Sequence, residues 1–170
     1  MPYSAKAIAN YFLDLARIHG QTLNPMKIQK LVYYAHAWNL VFYDRPLIDE
    51  LVQAWPYGPV IPSLYDEFKR YGSSPITAKA TEFAPTELDP YRFITPSIDD
   101  YLYPLINQQT KALLDAIWEA YGDFSAIQLS NLTHAPDSPW FLVYNRNPGR
   151  KGLTIPDQVI KEHFVSARTD

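Results

Sequence analysis

Apolar positions recur along this chain at helical spacing, and the helix starts share one grammar. Ile8, Phe12 and Leu15 form a single stripe over residues 5–18, with Gly20 just beyond as a stop. Ser4 is placed to cap that helix, with Tyr3 before it able to staple against Ile8. Asn24 caps a second helix over 25–43, Pro25 fits its first position, and Leu23 can staple against Ile28. From Leu31 onward this helix is apolar or aromatic on nearly every face, the mark of a central, buried helix. Asp44, Arg45 and Pro46 end it. Ser125, with Gln128 three residues on, predicts a capping box, and Phe124 can staple against Leu129.

Between these anchors the pattern is weaker. Residues 51–55 read as a short strand, Tyr57, Gly58 and Pro59 as a turn, and 62–71 as a helix closed by Gly72, with Asp66 able to pair with Arg70. Over 73–104 prolines recur and helical periodicity is missing; this reads as a long surface excursion with a second short strand at 91–95. An amphipathic helix resumes near Ile106, turning Leu113, Leu114, Ile117 and Tyr121 inward and stopping at Gly122. Ser138 caps a short helix opened by Pro139 and Trp140; 147–152 is a loop, and 156–164 a final helix. The expected fold is mainly α: one compact multi-helix domain over 1–170, with a small antiparallel element joining 51–55 to 91–95.

Composition narrows the function classes. At 170 residues with 47% hydrophobic and 19% charged positions, the chain can bury a core without staples. It has no cysteine, hence no disulfide framework or thiolate nucleophile, as suits a reducing cytoplasm. A polar start argues against a secretory leader, and the apolar run near Leu31 is too short and broken to span a bilayer. The net charge of −3 gives no pull toward nucleic acid. Fifteen prolines suggest stiff connections, and 13 tyrosines suggest amphipathic packing.

Candidate chemistry is sparse. His36 with Asp49 and Glu50 lacks metal-ligand spacing, so a hydrogen-bonded packing role is expected for His36, and no metal or cofactor is expected. His134 and Asp137 flank a helix end and the capped Pro–Trp turn. A structural corner is the main reading; an acid–base pair in a small hydrolase-like enzyme is the alternative. Residues 113–133 resemble a helix-turn-helix, but Gln128, Ser130 and Asn131 are the only donors on the would-be recognition helix. Arg146, Arg150 and Lys151 are the better phosphate candidates, and a solubilising loop is the plainer reading. Lys27 and Lys30 sit in the first turns of the second helix, where solvated lysines are expected and a partner contact is the outside reading. Trp55 and Tyr57 stand on a proline-stiffened turn and lose little entropy on binding, as hot-spot residues do. For Trp55 packing and exposure are equally open; Tyr57 is expected to be exposed.

Four stretches together resemble the SocA-like antitoxin family, also called the Panacea domain: IANYFLDLA, PMKIQKLVYYAHAWNLVFYDRPLIDE, AWPYGPVIPSLYDEFKRYG and SAIQLSNLTHAPDSPW. Their signature positions are Asn24, Pro25, Gly58, Pro59, Thr133, His134, Ser138, Pro139 and Trp140. Residues 73–104 align with nothing in that family, and there the specificity for a partner is expected to vary. The resemblance implies a cytoplasmic, non-enzymatic antitoxin that neutralises a cognate toxin by direct binding. In one member the domain delivers its toxin to a AAA+ protease, and members occur in prophage or mobile-element settings. On this reading Trp55, Tyr57, Tyr65, Lys69 and Tyr71 are the expected contacts, with Lys27 and Lys30 beside them.

Overall fold

A computed structural model describes residues 2–169. Its helices begin where the capping residues place them. α1 (Ala5–Ile18) starts on Ser4, whose hydroxyl accepts from Ala7 N at 3.1 Å. α2 (Pro25–Tyr43) starts on Asn24, whose Oδ1 accepts from Lys27 N at 2.9 Å. α5 (Ala126–Thr133) carries both arms of the Ser125–Gln128 capping box. α6 (Pro139–Arg146) is capped by Ser138, whose Oγ accepts from Phe141 N at 3.2 Å. Each such bond satisfies a backbone donor that the helix itself leaves open, worth about 1 kcal/mol.

α2 is the axis of the domain, buried almost without break from Ile28 to Leu40 and packed against α1, α3 (Pro62–Phe68), α4 (Pro104–Tyr121), α5 and α7 (Asp157–Thr169). Tyrosines fill much of its surroundings. Tyr34 stacks on Tyr121 of α4 at 4.2 Å, the Tyr121 hydroxyl accepts from Trp38 Nε1 at 3.0 Å, and Phe164 of α7 meets Tyr33, Tyr34 and Trp38 edge-on. Each ring thus adds oriented contact to its buried area. His36, in the middle of α2, is 1% exposed; its Nδ1 accepts from Leu47 N at 3.3 Å and Nε2 lies 2.8 Å from Asp157. Glu50 accepts from Ala5 N at 2.6 Å at the start of α1 and also holds the Ser63 hydroxyl. Glu50 therefore serves helix starts rather than His36.

The strand pairing differs from the expected one. β1 (Gln53–Trp55) pairs antiparallel with β2 (Gly58–Val60) through the Trp55↔Gly58 turn, and on its other edge with β5 (Leu153–Thr154). β4 (Phe93–Ile94) pairs with β3 (Glu82–Phe83) instead of reaching 51–55. The β1–β2 and β3–β4 hairpins close over short connections, and the other edge of β1 is taken by β5, which leaves 91–95 no free edge there. α3 is shorter than the 62–71 reading, giving way to a 3-10 turn at Lys69–Tyr71. That tightening brings Asp66 to Lys69 at 3.4 Å, while Arg70 lies over the Tyr71 ring, so the expected Asp66–Arg70 pair is replaced. Phe124 remains exposed, and the α7 helix runs past 164 to Thr169.

Residues 73–104 carry the β3–β4 hairpin, which is fastened at its base to α1. Asn10 of α1, 2% exposed, donates to Ala80 O and Pro96 O at 3.0 and 2.9 Å and accepts from Ala80 N at 2.7 Å. Lys6 adds a bond to Thr81 O at 2.8 Å and a 3.2 Å ion pair to Glu67. Beyond this clasp Phe83, Leu88, Tyr91 and Phe93 all face solvent.

Candidate functional site

Two successive residues of α2 fix the Trp55–Pro59 turn from below. Gln29 forms a reciprocal amide clasp with Ile61, Nε2 donating to its carbonyl and Oε1 accepting from its N–H, both at 3.0 Å. Lys30 donates from Nζ to Tyr57 O at 3.2 Å and Pro59 O at 3.1 Å. From above, Trp140 donates its indole N–H to Trp55 O at 2.6 Å. The corner that carries Trp140 is self-bonded: Ser138 Oγ donates to Thr133 O at 2.9 Å, and Thr133 Oγ1 donates to Ser130 O at 2.6 Å. The His134 ring lies tilted against Trp140 at 4.2 Å, and its Nδ1 meets the same Ser130 carbonyl. A carbonyl only accepts, so Nδ1 carries the proton.

This convergence explains the spacing of the two motifs. Gly58 sits at φ +111°, a backbone region that side chains rarely adopt, and a Cβ there would meet Lys30 Nζ at 2.8 Å, Thr133 Oγ1 at 3.0 Å and His134 Cε1 at 3.1 Å. Gly58, Pro59, Thr133, His134, Ser138, Pro139 and Trp140 are thus one assembly around a lysine. Asn24 and Pro25 belong to it indirectly, because they set the start of α2 that brings Lys30 beneath the turn.

Lys30 is 2% exposed, which overturns the expectation of a solvated lysine. Removal from water, with no carboxylate to offset it, lowers its ammonium to about 7. Lys27 is half-buried too, donating to Gly122 O at 2.6 Å at the C-terminal end of α4 and lying 6.0 Å from the Trp118 ring. Its charge complements the α4 dipole instead of opposing that of α2. Sequence reasoning missed both because each lies before the unbroken apolar run; the neighbouring Ile28 and Leu31, at one turn's spacing and fully buried, were the available signal.

Beside the turn lies a groove of about 210 Å³, lined among others by Met26, Lys30, Trp55, Tyr57, Leu64 and Tyr65. Trp55 is half-buried, edge-on to Tyr65 at 4.8 Å, so it both packs and lines the groove. Tyr57 is 78% exposed, Tyr65 is 45% exposed, and Lys69 also faces solvent. Tyr71 is half-buried against Phe68. Trp55, Tyr57 and Tyr65 line one groove, while Lys69 and Tyr71, in the 3-10 turn after α3, are not among its lining residues. Arg146 at the end of α6 and Arg150 and Lys151 in the loop after it are exposed, and none is among the groove's lining residues.

The alternative acid–base pair is not assembled. His134 is engaged with the Ser130 carbonyl and Trp140, whereas Asp137 takes a left-handed backbone at φ 67° and is exposed; its backbone bonds His163 instead. Among the described residues no group of three or more His, Cys, Asp or Glu is placed to hold a metal ion. No helix among them is long and apolar enough to cross a membrane.

No solved structure matches the chain. It is 32% identical over 163 residues to the antitoxin SocA of Caulobacter vibrioides (strain NA1000 / CB15N), covering 94% of this chain and 81% of that protein. The model of the "Antitoxin SocA-like, Panacea domain" family matches residues 28–141, a span that contains Lys30, the Tyr57 turn and the Thr133–Trp140 corner. The chain belongs to the SocA-like antitoxin family of Panacea domains.

Proposed function

We propose that this chain is a non-enzymatic, cytoplasmic antitoxin that neutralises a cognate toxin by binding it directly, through the face formed by Trp55, Tyr57, Tyr65, Lys69 and Tyr71. The observation that carries this reading is a Tyr57 side chain 78% exposed on a turn whose backbone is bonded from α2 below and Trp140 above. An amphipathic ring on a backbone that is already ordered loses little freedom when it binds. Lys69 adds an exposed cation after α3, and Met26 an adaptable apolar contact. The aromatic hairpin at 82–94 is a second surface, suited to selecting among toxins.

Co-expression with the product of a neighbouring toxin-encoding reading frame tests the reading. Tyr57→Ala and Lys69→Glu, each checked for native unfolding temperature, are expected to lose growth rescue and toxin capture. Full rescue by both folded variants would remove this face from the interface. A toxin held in this way is either blocked or handed to a AAA+ protease, the route that the family resemblance implies. Toxin half-life in cells with and without the chain separates the two.

A further inference from the structure

The groove beside the Tyr57 turn joins apolar walls to a buried cation. Lys30 forms part of its lining, and the two carbonyls it serves leave one of its three N–H donors for another acceptor. No carboxylate among the described residues pairs with it. An amine buried without a counter-ion beside an open groove sheds its proton readily, and a partner carboxylate placed there would hold it in the charged form. The remaining walls are Met26, Trp55, Leu64 and Tyr65, which offer apolar contact. At roughly 30 Å³ per water, the space holds about seven waters, or one large side chain with a small polar group next to it.

We propose that the groove receives an internal segment of the toxin in which an aspartate or glutamate adjoins a large apolar side chain, the carboxylate meeting Lys30 and the apolar group lying between Met26, Trp55 and Tyr65. This rests on the toxin-binding reading above and deepens it. A second copy of this chain is disfavoured as occupant by the net charge of −3 that each copy carries. Specificity follows from the pairing: a segment with glutamine in place of glutamate leaves the cation uncompensated, a difference larger than the loss of apolar contact alone.

The test uses the full ¹⁵N-labelled chain and three blocked probes. These are acetyl-Ala-Leu-Glu-Ala-amide, the same peptide with Gln for Glu, and acetyl-Ala-Ala-Leu with a free C-terminal carboxylate. The indole N–H signals of Trp55, bonded to Gln53 at 2.9 Å, and of Trp140, bonded to Trp55 O, report on the groove and its roof. The Glu peptide is expected to shift both signals and to bind at least tenfold more tightly than the Gln peptide. Lys30→Met is expected to abolish that preference, and Tyr65→Ala to weaken both peptides alike. Equal binding of the Glu and Gln peptides, or no shift with either, overturns the proposal. Tighter binding of the free-carboxylate probe than of the Glu peptide also overturns it, in favour of a terminal carboxylate. Toxin capture is measured alongside with a folded Lys30→Met variant. Undiminished capture by that variant sinks the lysine–carboxylate contact and leaves the antitoxin reading standing. Normal discrimination between the peptides by a chain that captures no toxin does the reverse.

Discussion

The Tyr57 turn and the Phe83–Phe93 hairpin both present exposed rings, yet they are held in opposite ways. The turn is bonded along its whole length, from Gln29 and Lys30 below, Trp140 above and β5 at the edge of β1. The hairpin is bonded at its base by Asn10 and Lys6, and its outer rings contact mainly each other, Phe83 lying 5.3 Å from Phe93. A loop gripped from several segments demands particular residues in each of them. One gripped only at its root demands few. Sequence change in the first should therefore damage the fold, and in the second mainly the choice of partner.

Gly58→Ala breaks this comparison hardest if the comparison is wrong. The new Cβ would meet Lys30 Nζ at 2.8 Å on a backbone of φ +111°, so strain and clash combine. A loss of about 3 kcal/mol is expected, which lowers the unfolding temperature of a domain of this size by roughly 6–12 °C. Gly20→Ala, at φ +66° just past α1 with nothing within 4 Å, carries only the left-handed backbone cost of about 1 kcal/mol. Thermal unfolding of the two variants side by side measures the difference. Similar losses in both would mean that the crowding around Lys30 does not constrain the turn.

Asn10→Ala is the matching cut at the root of the hairpin. It leaves Ala80 N–H, Ala80 O and Pro96 O without their partner in a buried setting, at a cost of about 2–3 kcal/mol. Hydrogen exchange is expected to speed up at Ala84, which bonds Arg92 O at 2.9 Å, while amides of the Tyr57 turn keep their protection. Loss of protection in both regions would show them to be one cooperative unit.

These contrasts also say what sequence could reveal. Local grammar settled these helix starts, because Ser4, Asn24, Ser125 and Ser138 each act on the N–H group three residues on. The Trp55–Pro59 and Thr133–Trp140 motifs were legible as motifs, yet their meeting was not, since nothing local links Gly58 to Thr133. Lys30 and Lys27 were misjudged for a related reason. Their partners are backbone carbonyls, Tyr57 and Pro59 for one and Gly122 for the other, and a carbonyl has no residue-type signature. The pairing of β3 with β4 was hidden by strands only two residues long, too short to show alternation.

A milder cut, Phe83→Ser with Phe93→Ser, removes the exposed ring pair. The expected loss is about 1 kcal/mol, the scale of one aromatic pair, because both rings are already more than half exposed. Toxin capture is expected to change in selectivity rather than to vanish. Competition between two toxins for wild type and the double variant measures this, and an unfolding midpoint lowered by several kcal/mol would show that the hairpin supports the core.

The finest test sets the fold against the site by pH. Lys30 is held near 7 when folded and returns to its ordinary 10.5 when the chain unfolds. Between those values the unfolded chain binds a proton that the folded chain lacks, so stability rises with pH, by up to about 1.4 kcal/mol per unit in the middle of the interval and by less near its ends. Above pH 10 the trend reverses, since burial holds the Tyr33 and Tyr34 hydroxyls in the neutral form and unfolding lets them ionise. Capture of an acidic toxin segment needs the ammonium charged, and therefore weakens over the very range in which the fold strengthens. The ionisable neighbours of Lys30 are Tyr57, Tyr65 and His134, and Lys27 shifts in the same direction through its own burial. The difference between wild type and Lys30→Met in urea titrations at pH 6.5, 7.5 and 8.5 isolates the Lys30 part. In that variant the removed buried charge offsets the two carbonyls left unpaired, so its stability at pH 7 stays near wild type while both pH slopes flatten. Stability and capture that rise together with pH would separate Lys30 from the binding groove and leave it a structural pin.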